Sequence, residues 1–212
     1  MNRIHRRTAA KRRRAGGNGV PGGTGSAGDL LTVALRHHRA GQAGDAERYY
    51  CRALEIDPHR LDVLGHFGKL QMETGNLEGA LAIFTRALSI GETEQTKAMF
   101  VGCLQRVRYV PEVAGLRSLV VRAMSEPWAR PADVAYAAVR LIKSGTVLNE
   151  CIQRAGTAWP QRLSESQLFG AAGAAALAGD ELLRTALECA PVCDVDLEYG
   201  HVSVLGSEEH PR

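Results

Sequence analysis

From Leu30 onward, apolar residues recur at intervals of three and four, and the runs break at Gly41, Pro58, Gly75 and Gly91. That period puts an apolar stripe on one side of each of several short helices and leaves the other side polar. Stretches of the same character follow over 112–125, 131–143, 146–155, 165–178 and 181–190, separated by Pro127, Gly145, Pro160 and Gly179. The expected fold class is all-α. Residues 1–27 differ, because a basic run is followed by Gly16, Gly17, Gly19, Gly22, Gly23 and Gly25. With almost no apolar surface to offset the entropy of ordering, they are expected to form a disordered basic tail.

A shift of 34 positions superposes one part of the chain on the next. Gly41 falls on Gly75, Ala46 on Ala80, Tyr50 on Phe84, Arg52 on Arg86, Ala53 on Ala87, Leu54 on Leu88 and Ile56 on Ile90, while Leu30 falls on Leu64. Residues at i, i+4 and i+7 share a helix face, and small side chains there let a paired helix approach closely. Tyr50 and Phe84 then fill the gap to the next unit, and Gly41 and Gly75 stand where a turn between two helices calls for positive φ. Continuing the period gives a fifth helix with Phe100, Val101, Gly102 and Leu104, and puts Ala114 at the next small position.

The order small, aromatic, alanine at Ala46, Tyr50, Ala53 and again at Ala80, Phe84, Ala87 resembles the tetratricopeptide repeat. Pro58 closes the first unit as in that family, whereas Glu92 stands where the second would have proline. The family's small position in each first helix is filled by Ala34 and Gly68, after Val33 and Phe67, and its tryptophan is replaced by leucine both times. The resemblance implies antiparallel helix-turn-helix repeats stacked as a short α-solenoid. Two repeats are expected over about 27–60 and 61–94, degenerate or capping helices over 95–190, and a C-terminal tail over 191–212. It also implies a groove lined by the first helices, at Leu31, Leu35, His38 and Arg39 in one repeat and Gly65, Lys69, Met72 and Glu73 in the next. The family's chaperone-binding members hold a terminal carboxylate with paired lysine and asparagine, and Leu31 and Leu35 take two of those places here. Arg39 and Lys69 can still attract an acidic or carboxylate-bearing segment.

Composition refines this picture at three points. The aromatic fraction is only 5% and alanine is plentiful, which suits closely packed helices. The net charge of +3 contains seven positive charges from Arg3, Arg6, Arg7, Lys11, Arg12, Arg13 and Arg14; the whole-chain value less these seven leaves the remainder at −4. The basic pI therefore describes the tail, which has no aromatic residue for stacking bases, and nucleic acid is not an expected partner. Five cysteines at irregular spacing, Cys51, Cys103, Cys151, Cys189 and Cys193, fit a reducing compartment. With neither an apolar signal core nor a membrane-length apolar run, the expected location is cytoplasmic.

Candidate chemistry is sparse. Gly23, Gly25 and Gly28 spell GxGxxG before a helix, but what precedes them is an arginine run and not a strand, so a dinucleotide turn is not expected. Cys189 and Cys193 have no second ligand pair, and the histidines are scattered, so no metal is expected. No catalytic residue and no cofactor are expected. The stretch Cys189 to Glu198, CAPVCDVDLE, with the helices before it, resembles the junction that follows such repeats in bacterial S-adenosylmethionine-dependent methyltransferases. Two functions follow: a non-catalytic module that binds a protein or peptide in its groove, or a stand-alone or truncated substrate-recognition or regulatory region of such a methyltransferase.

Overall fold

The computed structural model describes residues 25–111 and 113–190. Both expected tails fall outside this range, apart from residues 25–27. The described residues form ten α-helices and no strand. Helices α1 (Ala27–Arg39) and α2 (Ala43–Ile56) make one antiparallel hairpin, α3 (Leu61–Glu73) and α4 (Leu77–Ile90) a second, and α5 (Glu94–Leu104) packs on α4. These stack as a short tetratricopeptide-like α-solenoid, with α1, α3 and α5 side by side along one edge.

Local chemistry sets the ends of these helices. Ser26 accepts from the backbone N–H of Asp29 at 3.2 Å, while Asp29 accepts from the Ser26 N–H at 3.0 Å, so the end of the GxGxxG stretch is a capping box. The Ser26 hydroxyl, which donates to the Asp29 carboxylate at 2.8 Å, and then the Ser26 N–H hold that carboxyl below its ordinary range. Gly41 and Gly75 turn each hairpin at φ 71° and 83°, where a side chain would be strained. Asn76 and Thr93 cap α4 and α5 by accepting from Gly79 and Thr96.

The hairpins close on small residues. Ala34, Ala46, Tyr50, Ala53, Ala80 and Phe84 are fully buried, and Ala87 nearly so. Gly68 carries the tightest contact: a Cβ built there would lie 2.5 Å from Cε1 of Phe84. The Arg86 guanidinium, one turn before Ile90, reaches back to donate to the Pro58 carbonyl at 2.6 Å, tying the second hairpin to the end of the first. Glu92, in place of a proline, accepts from Arg122 and pairs with Lys97 at 3.3 Å.

Beyond α5 the 34-residue register does not continue. Ala114 is exposed in a turn, and α6 (Leu116–Ser125) instead buries Leu116, Val120 and Ala123, which lie 36 positions after Ala80, Phe84 and Ala87. The loop after α5 takes two extra residues and sinks Val107 and Val110 into the core before Gly115, at φ 81°, leads into α6. Helix α7 (Pro131–Ser144) packs on α6, α8 (Thr146–Ala158) pairs with α9 (Glu165–Ala178), and α10 (Glu181–Cys189) returns to lie on α6 and α7. The return is fixed at one end by Arg117, which donates to Asp180 at 2.5 Å and to the Leu141 carbonyl at 2.8 Å. Asp180 also caps α10. The apolar interior accordingly has two parts, one across α1 to α3 and a larger one running from α4 through α7 to α10.

The seam at Phe84 gives a test with opposite signs on a single helix. Gly65 faces open space, so Gly65→Ala is expected to stabilise by up to about 1 kcal/mol through helix propensity. Gly68→Ala gains the same propensity but must displace a buried ring, and overpacking of about 1–3 kcal/mol is expected to leave it less stable than wild type. Urea unfolding of both variants decides; equal stabilisation by the two would remove the Phe84 contact as the seam.

Candidate partner-binding groove

The last turns of α1 and α3 lie beside each other and bring together His38, Lys69 and Glu73, with Arg39 close enough to act on Tyr50 and His66; Met72, also on the last turn of α3, packs toward the next helices. His38 is the hinge of the cluster. Its Nδ1 is 3.0 Å from the Tyr50 hydroxyl and its Nε2 is 2.7 Å from Oε2 of Glu73. A carboxylate only accepts, so Nε2 donates to Glu73; in the uncharged form of the ring Nδ1 then accepts from the Tyr50 O–H. Glu73 also faces the Lys69 ammonium at 3.7 Å.

The surroundings fix the charge states. Burial, and then the negative charge of Glu73, push the Tyr50 hydroxyl up to about 12, so it stays a neutral donor. The hydrogen bond from His38 holds the Glu73 carboxyl below its usual range, with smaller help from Lys69. His66, half-buried one turn before Lys69, is pulled down by burial and then by the neighbouring His38, Lys69 and Arg39, which together with burial outweigh the opposing charge of Asp62. Arg39 is exposed and makes no hydrogen bond or ion pair among the described residues, so its five donors face solvent.

The positions expected to line the groove do not all reach its surface. Leu31 retains only 8% exposure and belongs to the same buried cluster as Val63 and Leu70. Its apolar side chain is worth more to the interior than to the groove, because α3 packs along the flank of α1. Leu35 is half-buried against that cluster, and Met72 is half-buried against the larger one. Gly65 leaves open space above the helix. Two participants went unnoticed in the sequence: His66, and the hydroxyl of Tyr50. The second had a signal, since the equivalent residue of the next repeat is Phe84, which packs equally well without an oxygen.

Reactive groups elsewhere are held quiet. Burial pushes the Cys103 thiol up to about 11, and its S–H points at the Leu77 carbonyl at 3.1 Å. Burial also raises Cys51 and Cys151, the wrong direction for a nucleophilic thiolate. Among the described residues no three His, Cys, Asp or Glu side chains converge as a metal set, and no helix is long and apolar enough to cross a membrane. Cys193 and the CAPVCDVDLE stretch from Pro191 onward lie outside the described residues.

The family model of the tetratricopeptide repeat matches residues 37–96, which take in α2, α3 and α4 with the end of α1 and the start of α5. No curated protein matches the chain.

The lowered His66 predicts a pH dependence. A histidine whose ionisation is depressed by folding favours the neutral form in the native state. Stability is therefore complete above the ordinary value of 6.5 and declines as pH falls through it, when the unfolded chain takes the proton first. Between pH 7.5 and 5.5 the urea midpoint of wild type is expected to fall further than that of His66→Asn. Parallel declines would show that His66 is not the group responsible.

Proposed function

We propose that this protein is a non-catalytic interaction module that holds a partner polypeptide along the last turns of α1 and α3, and that the segment held there carries carboxylates. The observation that carries this reading is the Arg39 guanidinium, which has no ion-pair partner among the described residues, together with an exposed Lys69 whose one ion-pair partner among them, Glu73, is already engaged by His38. A peptide carboxylate can take both cations without breaking the His38 bond, and a guanidinium offers it a two-pronged hydrogen bond. Half-buried Leu35 and Met72 supply apolar surface beside the charges, the mixture that peptide grooves use. The match to the tetratricopeptide repeat over residues 37–96 supports a binding role, since repeats of this kind present surface along their stacked first helices.

Reversing the two cations tests the groove. Arg39→Glu with Lys69→Glu in the full chain is expected to deplete the specific partners about tenfold or more in affinity purification followed by mass spectrometry, from the loss of two charge-assisted bonds. Helix content by circular dichroism should stay as in wild type, because both side chains are exposed. Identical partner lists would exclude the groove. Recovery of a methyltransferase among the lost partners would favour a substrate-recognition or regulatory role for the chain, whereas heat released on titrating S-adenosylmethionine into the chain alone would overturn the non-catalytic reading.

A further inference from the structure

A second surface lies away from the groove, where the loop after α5 meets α7. Val107 and Val110 are buried, which turns Arg106, Arg108 and Tyr109 outward. Tyr109 is 62% exposed and shares the wall of a cleft of about 200 Å³ with Arg140. One turn before Arg140 on the same face of α7 stands Tyr136, 60% exposed. Ser144 belongs to this cleft and to an adjoining one of about 280 Å³ that reaches Arg117 and Ser118. Arg106, Arg108 and Arg140 have no carboxylate partner among the described residues.

From this juxtaposition we infer that the face formed by Tyr109, Tyr136 and Arg140, with Arg106 and Arg108 exposed on the loop that carries Tyr109, binds single-stranded nucleic acid. Two phenol rings standing in solvent cost free energy that burial would recover; Tyr136 stands one helical turn from the Arg140 guanidinium, and Tyr109 shares a cleft wall with it. Rings that can receive bases, set among cations that can receive phosphates, are the two components of a sequence-tolerant single-strand surface. An acidic peptide would satisfy the guanidinium groups but would not use the rings, both of which stand in solvent and neither of which is seated in an enclosed apolar pocket that anchors peptide side chains. The basic residues of the first fourteen positions would add non-specific phosphate attraction to the same ligand. On their own they lack any ring; the folded face supplies it.

Fluorescence anisotropy of labelled single-stranded DNA and RNA of about 12 nucleotides, titrated with the full chain at fixed salt, tests this. The double variant Tyr109→Ala, Tyr136→Ala leaves every charge in place and is expected to weaken binding roughly tenfold or more. Tyr109→Phe with Tyr136→Phe keeps the rings and should retain wild-type affinity, which separates stacking from damage to the fold. Arg140→Glu should weaken binding and flatten its salt dependence. Undetectable binding, affinity unchanged in the double alanine variant, or equal competition by a glutamate-rich peptide of matched charge would each overturn the assignment; the second would assign the binding to the basic residues of the tail. None of these outcomes bears on the groove of α1 and α3, whose test uses different residues.

Discussion

The ring of Phe84 occupies the space that a side chain at position 68 would need. Because glycine leaves that space empty, α3 and α4 close to the distance set by an aromatic edge against bare backbone, and the position of α3 follows. Everything in the groove depends on it, since Lys69 is the next residue along α3 and Glu73 lies one turn beyond. Widening that seam would carry Lys69 and Glu73 with α3 and work against the 2.7 Å contact between His38 and Glu73. The alanines at 34, 46 and 53 impose the same closeness on the first hairpin. A packed interior transmits such constraints because it has almost no slack.

Tyr50 joins this packing to the polar surface. Its ring stacks on Phe67 at 5.7 Å within the seam, and its hydroxyl, which would be costly to bury unpaired, finds His38. His38 is then held in one tautomer and directed at Glu73. The chain of contacts runs from an interior aromatic through a histidine to a carboxylate, so that the groove is shaped by the core and does not depend on loop conformation. In the second repeat Phe84 fills the same seam but has no hydroxyl, and no equivalent polar chain forms. Two repeats that are near copies in packing therefore differ in what they display.

That difference explains which features were legible in the amino-acid sequence. The helices and their pairing follow from the spacing of Ala46, Tyr50 and Ala53, because only a few side chains permit so close an approach and the requirement repeats with each unit. Groove exposure has no such local determinant. Leu31 occupies a groove position by register, yet it is hidden because α3 lies across it, a fact of tertiary placement. Ala114 misled for a related reason: the loop containing Val107 and Val110 buries its own apolar residues, and two extra positions in it move the next apolar face to Leu116, Val120 and Ala123. The pairing of Arg117 with Asp180 was beyond reach, since nothing in either neighbourhood points to a partner 63 residues away.

The return of α10 has a structural consequence for the array. In an open stack, each hairpin leaves an apolar face for the next to cover, and a terminal one must be covered otherwise. Leu182 and Ala186 of α10 are almost wholly buried in the same interior as Leu116, Val120, Val134 and Ala138, so α6 and α7 spend their apolar faces on this helix. What α7 has left is its opposite side, carrying Tyr136 and Arg140, and what the first two hairpins have left is the edge formed by α1 and α3. The fold thus separates two surfaces of different character: one with cations and half-buried aliphatics beside a fixed carboxylate, the other with cations and exposed rings. Because no shared element other than the core connects them, substitutions on one should leave the other's geometry intact.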